Sequence, residues 1–256
     1  MCTLVLLRRP DHPWPLILAA NRDEMTDRPA RPPGRHWPDL PGVVAGLDVL
    51  AGGSWLGLND RGVAAAALNR IGSLGPSAGK RSRGELVLAA LEQADAAAAA
   101  EALSGRSAAD YRSFNLVVAD ATAAFWLRNR VGEADTGASE AGIEVFELPP
   151  GLSMITAHDR NDLGSARIRT YLPRFRSAPP PDPAKGDWRA WRDILASRQA
   201  DPDGDPYAAM TVATDRGFGT VSSSLVALPK AGGEESPVWL YAPGPPDRTP
   251  FAPVAV

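Results

Sequence analysis

A chain of 256 residues with 44% hydrophobic content is long enough to bury a sizeable core. Its 27 basic and 30 acidic residues leave a net charge of -3, so nucleic acid and acidic membrane surfaces have no general electrostatic reason to bind it. One cysteine excludes an internal disulfide, three histidines without ligand spacing argue against a metal centre, and no run approaches the ~18 apolar residues of a membrane span. The start lacks a basic segment followed by an apolar stretch, so the expected location is the cytoplasm.

In chain order, CTLVLL and PLILAA are short apolar runs separated by RRPDHPW, a pattern that predicts a hairpin. Residues 28–42 carry five prolines and read as a loop. Val43 to Asn69 reads as a meander of short strands, with turns at AGGS and NDRG and a buried Trp55 between tight glycine turns. RSRGELVLAALEQADAAAAAEAL has helical periodicity and reads as one helix stopped by Gly105. FNLVVAD and AAFWLR read as paired strands, as do IEVFELP and GLSMITA. DLGSARIRTYLPRF predicts a helix ended by its proline, and SAPPPDPAKGD a surface loop. DWRAWRDILASRQ resumes a helix with Trp188, Trp191 and Leu195 at core spacing, before FGTVSSSLVALP and SPVWLYAP close the chain as strands. These blocks of strands and helices predict a single α+β domain over residues 1–256, with antiparallel sheets and helices stacked outside them.

Several motifs are absent. GPSAGKRS imitates a phosphate loop, but its spacing is one residue short and Arg81 stands where Ser or Thr would hold magnesium. Ser54 in GGSWLG lacks the frame of a nucleophile elbow. No cofactor is expected.

MCT at the start, ANRDE at 20–24 and AGGSWLGLNDRGVAAAALN at 51–69 together resemble the NRDE family, also called the transport and Golgi organisation protein 2 family. FGTVSSSLVAL resembles that family's late Tyr-Gly-Thr-Arg-Ser-Ser-type segment. The family is in turn similar to N-terminal nucleophile (Ntn) hydrolases of the choloylglycine hydrolase and penicillin V acylase type. That resemblance implies a four-layer αββα sandwich of two antiparallel sheets. It also implies a nucleophile at Cys2 once Met1 is removed, a thiolate-side arginine at Arg22 and an oxyanion asparagine at Asn69, with a site carboxylate near the arginine that is three residues from it in the hydrolases and has only Asp23 and Glu24 as candidates here. Two positions depart from the hydrolase pattern. A second oxyanion asparagine is missing from ITAHDRND, where His158 is the candidate donor, and the late arginine is replaced by Val221.

The chemistry of these residues is coherent without the family. A thiol has a reference pKa of ~8.5 that a neighbouring guanidinium lowers, and an α-amine near ~7.7–8.0 can accept its proton, so no catalytic histidine is needed. The Asn69 backbone N–H or side-chain amide would stabilise a tetrahedral oxyanion. Strand alternation leaves one ambiguity. If ANRDE stays extended, Arg22 and Glu24 share one face and Asn21 and Asp23 the other; Asp23 is favoured as the site carboxylate if the strand has ended by then, and Glu24 is its alternative. Arg22 and Asp23 could instead form a structural ion pair, and Asn21 could cap a turn.

Two functions follow as expectations. One is a cysteine amidohydrolase or acyltransferase acting on a linear amide of a small acylated molecule, a C–N bond outside peptides. The other is a non-catalytic factor on the same fold handling haem or lipid, with Cys2, His36 or His158 as the candidate haem ligands. Either takes a small molecule as its partner.

Overall fold

The computed structural model describes residues 2–132, 142–199 and 205–256. The chain divides into two compact units, one built from residues up to Arg28 together with Pro150–Ala255, the other from Pro29–Pro149. It opens with the hairpin β1 (Thr3–Arg8) and β2 (Leu16–Met25), closed by bonds from Arg9 N to the Pro15 carbonyl and from His12 N to the Arg9 carbonyl, both 2.8 Å. The second unit follows with β3 (Ala30–Gly34), β4 (Val43–Asp48), β5 (Leu56–Asn59), β6 (Ala64–Asn69), α1 (Gly84–Leu91), α2 (Ala96–Ser104), β7 (Phe114–Ala119), β8 (Ala124–Asn129) and β9 (Glu144–Glu147). The chain then returns to the first unit for β10 (Gly151–Ile155), α3 (Ala166–Ser177), α4 (Arg189–Leu195), β11 (Phe218–Leu228), β12 (Val238–Ala242) and β13 (Ala252–Pro253).

In the first unit six antiparallel strands run in the order β10-β1-β2-β11-β12-β13. Alternation along β2 sends Ile17 and Ala19 to one face, where Val5, Leu225 and Ala227 join them against Ile168, Tyr171 and Phe175 of α3 and Trp191 and Leu195 of α4. Burying each of the larger side chains contributes roughly 1.5–3 kcal/mol. Trp188, Trp191 and Leu195 are core residues, as their spacing predicts. Pro173 does not end α3. It is exposed on the outer side, while Phe175 beyond it is buried edge-on against Trp191 at 5.1 Å between ring centres, which carries the helix on to Ser177.

The second unit is a seven-strand antiparallel meander in sequence order from β3 to β9, with α1 and α2 packed on one face through Leu86, Leu91, Ala99, Leu103, Leu116 and Val118. Four expectations are corrected. The proline-rich loop contains an edge strand, β3, whose irregular pairing with β4 between Arg31 and Gly34 accommodates Pro32 and Pro33. The single predicted helix is two, because Asp95 caps α2 by accepting from Ala98 N at 2.8 Å, and Asp120 accepts from Ala96 N at 2.8 Å. β9 pairs with β8 and β10 with β1, so these two strands belong to different sheets and are joined through Pro149 and Pro150. Trp55 is half-buried and packs against Gly46, where an added Cβ would collide with the indole.

The caps of α2 are testable. Asp95→Ala is expected to cost about 1 kcal/mol in urea unfolding. Burial raises the Asp120 carboxyl, but hydrogen bonds from Thr122 and from the Ala96 and Ala123 amides outweigh this and hold it below its ordinary value. Its stabilisation is therefore present above the unfolded carboxylate pKa of ~3.9 and lost as pH falls through the lower folded value. Asp120→Asn should destabilise at neutral pH, and its difference from the native chain should shrink in urea melts run in acid.

Candidate functional site

β2 stays extended through Met25, so the ANRDE stretch obeys strand alternation to its end. Thr3 is in register with Asn21, which by continuation sets Cys2 opposite Arg22 on the face turned away from α3 and α4. The Cys2 thiol donates to the Asp23 carbonyl at 3.5 Å and is half-buried. Its pKa is pushed up from the ordinary thiol range, first by burial and then by the Asp23 carboxylate; Arg22 and the hydrogen bond to the Asp23 carbonyl act the other way without offsetting this. In the unprocessed chain the Cys2 nitrogen is an amide and offers no base. Met1 itself lies outside the described residues.

Arg22 is buried in register with Ser222, and the next row on that face holds Ala20, Ser224 and Tyr241. Burial raises the Tyr241 phenol, while a hydrogen bond with Ser222 and the charge of Arg22 moderate the rise.

Asp23 faces the other way. Its carboxylate is wholly buried, accepts from Arg167 Nη1 at 2.8 Å on one oxygen and from Thr220 Oγ1 at 2.7 Å on the other. Arg167 Nη1 also donates to Thr3 Oγ1 at 2.8 Å, and its Nε and Nη2 donate to the Tyr207 carbonyl at 3.2 and 2.8 Å. Asn21 shares this face and its amide donates to the Leu195 and Met210 carbonyls at 3.0 and 2.9 Å, so it braces the sheet and caps no turn. Asp23 is thus ion-paired to Arg167 of α3. Glu24, on the Cys2 face, accepts from Met25 N at 2.8 Å and lies 3.9 Å from Arg28.

Arg167, Thr3 and Thr220 are absent from the sequence reading. One signal was available: Arg167 falls on the stripe of Tyr171 and Phe175, one and two turns before them, where a cation without a partner would be prohibitively costly. Thr220 had no signal, because its orientation depends on a bulge. Between Thr220 and Ser222 the register with β2 slips by one residue, so Thr220 meets Asp23 on one face and Ser222 meets Arg22 on the other. Val221 is the extra residue of that bulge.

His158 lies on the chain beyond β10, with its Nδ1 3.4 Å from Asp162 and its backbone N–H donating to Thr156 Oγ1 at 3.3 Å. Asn69 ends β6 in the second unit, in register with Phe114 of the helix-covered core; alternation sets its side chain on that face, leaving the backbone N–H as its candidate donor. His36, also in the second unit, has Nε2 2.8 Å from the Pro32 carbonyl. Ser54 Oγ is bonded within its own turn to Leu56. Among the described residues no group of three or more His, Cys, Asp or Glu side chains is placed to hold a metal ion, and no helix is long and apolar enough to cross a membrane.

The Asp23 and Arg167 pair makes a double-mutant prediction. Asp23→Leu or Arg167→Met alone should cost about 3–5 kcal/mol by stranding a buried charge, whereas the double variant should cost less than either. Urea unfolding of the three variants measures this.

The fold has close parallels among solved structures. Similar to it are a Caenorhabditis elegans N-acylethanolamine-hydrolyzing acid amidase ortholog (TM-score 0.55, 15% identity, 88% of this chain and 92% of that one) and a variant of the conjugated bile acid hydrolase from Clostridium perfringens (TM-score 0.53, 11% identity, 100% and 97%). Penicillin V acylase from Agrobacterium tumefaciens matches at TM-score 0.51 with 13% identity over 95% of this chain and 83% of that one. At such identities the likeness establishes the fold alone, an α+β arrangement of Ntn hydrolase type, as the sequence resemblance implied. Among curated proteins, the transport and Golgi organization protein 2 homolog of Bos taurus is 41% identical over 113 residues, 42% of this chain and 40% of that protein. The Mus musculus homolog is 43% identical over 76 residues, 28% of this chain and 26% of that protein. The chain therefore spans well under half the length of the curated relatives it matches. A family model described as Transport and Golgi organisation 2 matches residues 1–154, more than half of the 256, and the chain belongs to that family.

Proposed function

We propose that the protein is a cysteine N-terminal nucleophile amidohydrolase or acyltransferase acting on a linear amide of a small acylated molecule. The observation that carries this reading is the position of Cys2, continuing β1 opposite Arg22 with its thiol at the Asp23 carbonyl. The likeness in fold to the two hydrolases and the acylase supports it. The single cysteine fits a cytoplasmic protein whose thiol is kept reduced.

Removal of Met1 would convert the Cys2 amide nitrogen into an α-amine able to take the thiol proton. The thiolate sulfur then bonds to the substrate carbonyl carbon, and the carbon–nitrogen bond breaks as the proton passes to the departing amine. Water, or a second amine in the transferase case, attacks the resulting thioester and returns the thiol. Arg22 would hold the thiolate, and His158, in the same unit as Cys2, would serve as an oxyanion donor. Asp23 acts here through its carbonyl and its charge, because both carboxylate oxygens are engaged on the opposite face.

Intact mass and turnover test this together. The purified protein should lack the mass of methionine, and it should hydrolyse at least one member of a panel comprising N-acylethanolamines, conjugated bile acids and penicillin V. Cys2→Ser should abolish that turnover, and Arg22→Ala should reduce it by about 100-fold or more. Saturable haem or lipid binding unaffected by Cys2→Ser, with no amide turned over, would favour the carrier reading instead. A separate prediction concerns the thiol. A chain that retains Met1 should be alkylated by iodoacetamide with a pH midpoint above the ~8.5 of a free cysteine, as burial and the Asp23 charge require, and processing should lower that midpoint.

A further inference from the structure

We infer that Arg167 is the positioning residue of the Cys2 site, holding the nucleophile from the opposite face of the sheet. The inference rests on the nucleophile reading of Cys2. Arg167 is 1% exposed and bonds the two residues that frame the thiol. One nitrogen, Nη1, bonds Thr3, the neighbour of Cys2 in the chain, and Asp23, whose carbonyl accepts the hydrogen bond of the thiol, at 2.8 Å each. A single guanidinium group thus bridges β1 to β2 at the end of the hairpin where the regular ladder stops, since the β1 and β2 pairing begins only at Thr3.

This placement solves a geometric problem. Cys2 precedes the first ladder pair, so backbone hydrogen bonds of the sheet do not fix it as they fix Leu4 or Val5. Strand ends fray, and a nucleophile displaced by an ångström loses much of its reactivity. The planar fork of an arginine can tie Thr3 and Asp23 in one fixed geometry, and its remaining N–H groups anchor it to the Tyr207 carbonyl of a different segment. Thr220 secures the second oxygen of Asp23 from β11 and itself accepts from Val212 N at 2.9 Å. The carboxylate therefore has a single orientation, and so does the carbonyl behind it.

The test reads Cys2 directly. Iodoacetamide alkylation would be followed against pH for the processed native protein, Arg167→Met, Arg167→Lys, Thr3→Val, and the double variant Asp23→Leu with Arg167→Met, each N-terminus being verified by mass. Leu172→Ala, a cavity variant in the core of the same helix that leaves Thr3 and Asp23 untouched, controls for loss of stability alone. Arg167→Met should slow alkylation at about pH 8 by roughly ten-fold to a hundred-fold and move the thiol midpoint up, because Asp23 is left as an uncompensated negative charge. The double variant should restore the midpoint and not the rate. Arg167→Lys should recover the midpoint with part of the rate, and Thr3→Val should slow alkylation with the midpoint unchanged. If Arg167→Met alkylates like the native protein, or no differently from Leu172→Ala, Arg167 is only a structural ion and the inference fails. Amide turnover lost in Cys2→Ser but retained in Arg167→Met would overturn the positioning role while leaving the nucleophile reading intact; absence of turnover in the native protein with an alkylation profile insensitive to Arg22→Ala would instead remove the nucleophile reading.

Discussion

A carboxylate and a guanidinium that are both removed from water must satisfy each other, and in this protein the pair is Asp23 and Arg167. Much of the first unit's organisation follows. α3 must pack with its first turn over the end of β2, and the segment carrying Tyr207 must pass close enough to accept two donors from the same arginine. β11 must deliver Thr220 to the remaining oxygen, which it can do only by inserting an extra residue. The nucleophile candidate sits on the face opposite all of this, so the polar network supports the site without filling it.

The bulge at Val221 shows how one residue can serve two faces. A regular strand would present Thr220 and Ser222 on the same side, and either Asp23 or Arg22 would lose its neighbour. The extra residue lets adjacent positions of β2, whose side chains necessarily diverge, each meet a hydroxyl from β11. Val221 occupies the one position of β11 that has no partner on β2, so its side chain is not constrained by either pairing.

Much of this was legible in the sequence because it depends on short-range patterns. The β1 and β2 hairpin, the meander from Val43 to Asn69, the β7 and β8 pair and the closing strands carry their periodicity locally, and MCT, ANRDE and AGGSWLGLNDRGVAAAALN together pointed to the family and the fold. Elements set by tertiary contacts were not legible. Pro173 is tolerated because Phe175 is anchored by Trp191, and IEVFELP and GLSMITA resemble a hairpin although their partners lie in separate sheets. The alternation argument correctly separated Asp23 from Arg22, yet the partner of Asp23 stood far along the chain and only the incongruity of a cation in an apolar helical stripe pointed to it.

The two sheets differ in how their strands are gathered from the chain, and this bears on the order in which they form during synthesis. Every strand of the second sheet after β3 pairs with its immediate predecessor, so that sheet can grow as it emerges from the ribosome. The first sheet cannot. Its amino-terminal hairpin is completed by β10 on one side and β11 on the other, and the bond between Thr220 and Asp23 closes a separation of 197 residues. Until those strands arrive, the hairpin has two bare edges and its first residues remain accessible. The end of the hairpin that carries Cys2 is thus expected to be among the last parts of the first unit to assemble, open until Arg167 and Thr220 arrive to fix Asp23 between them.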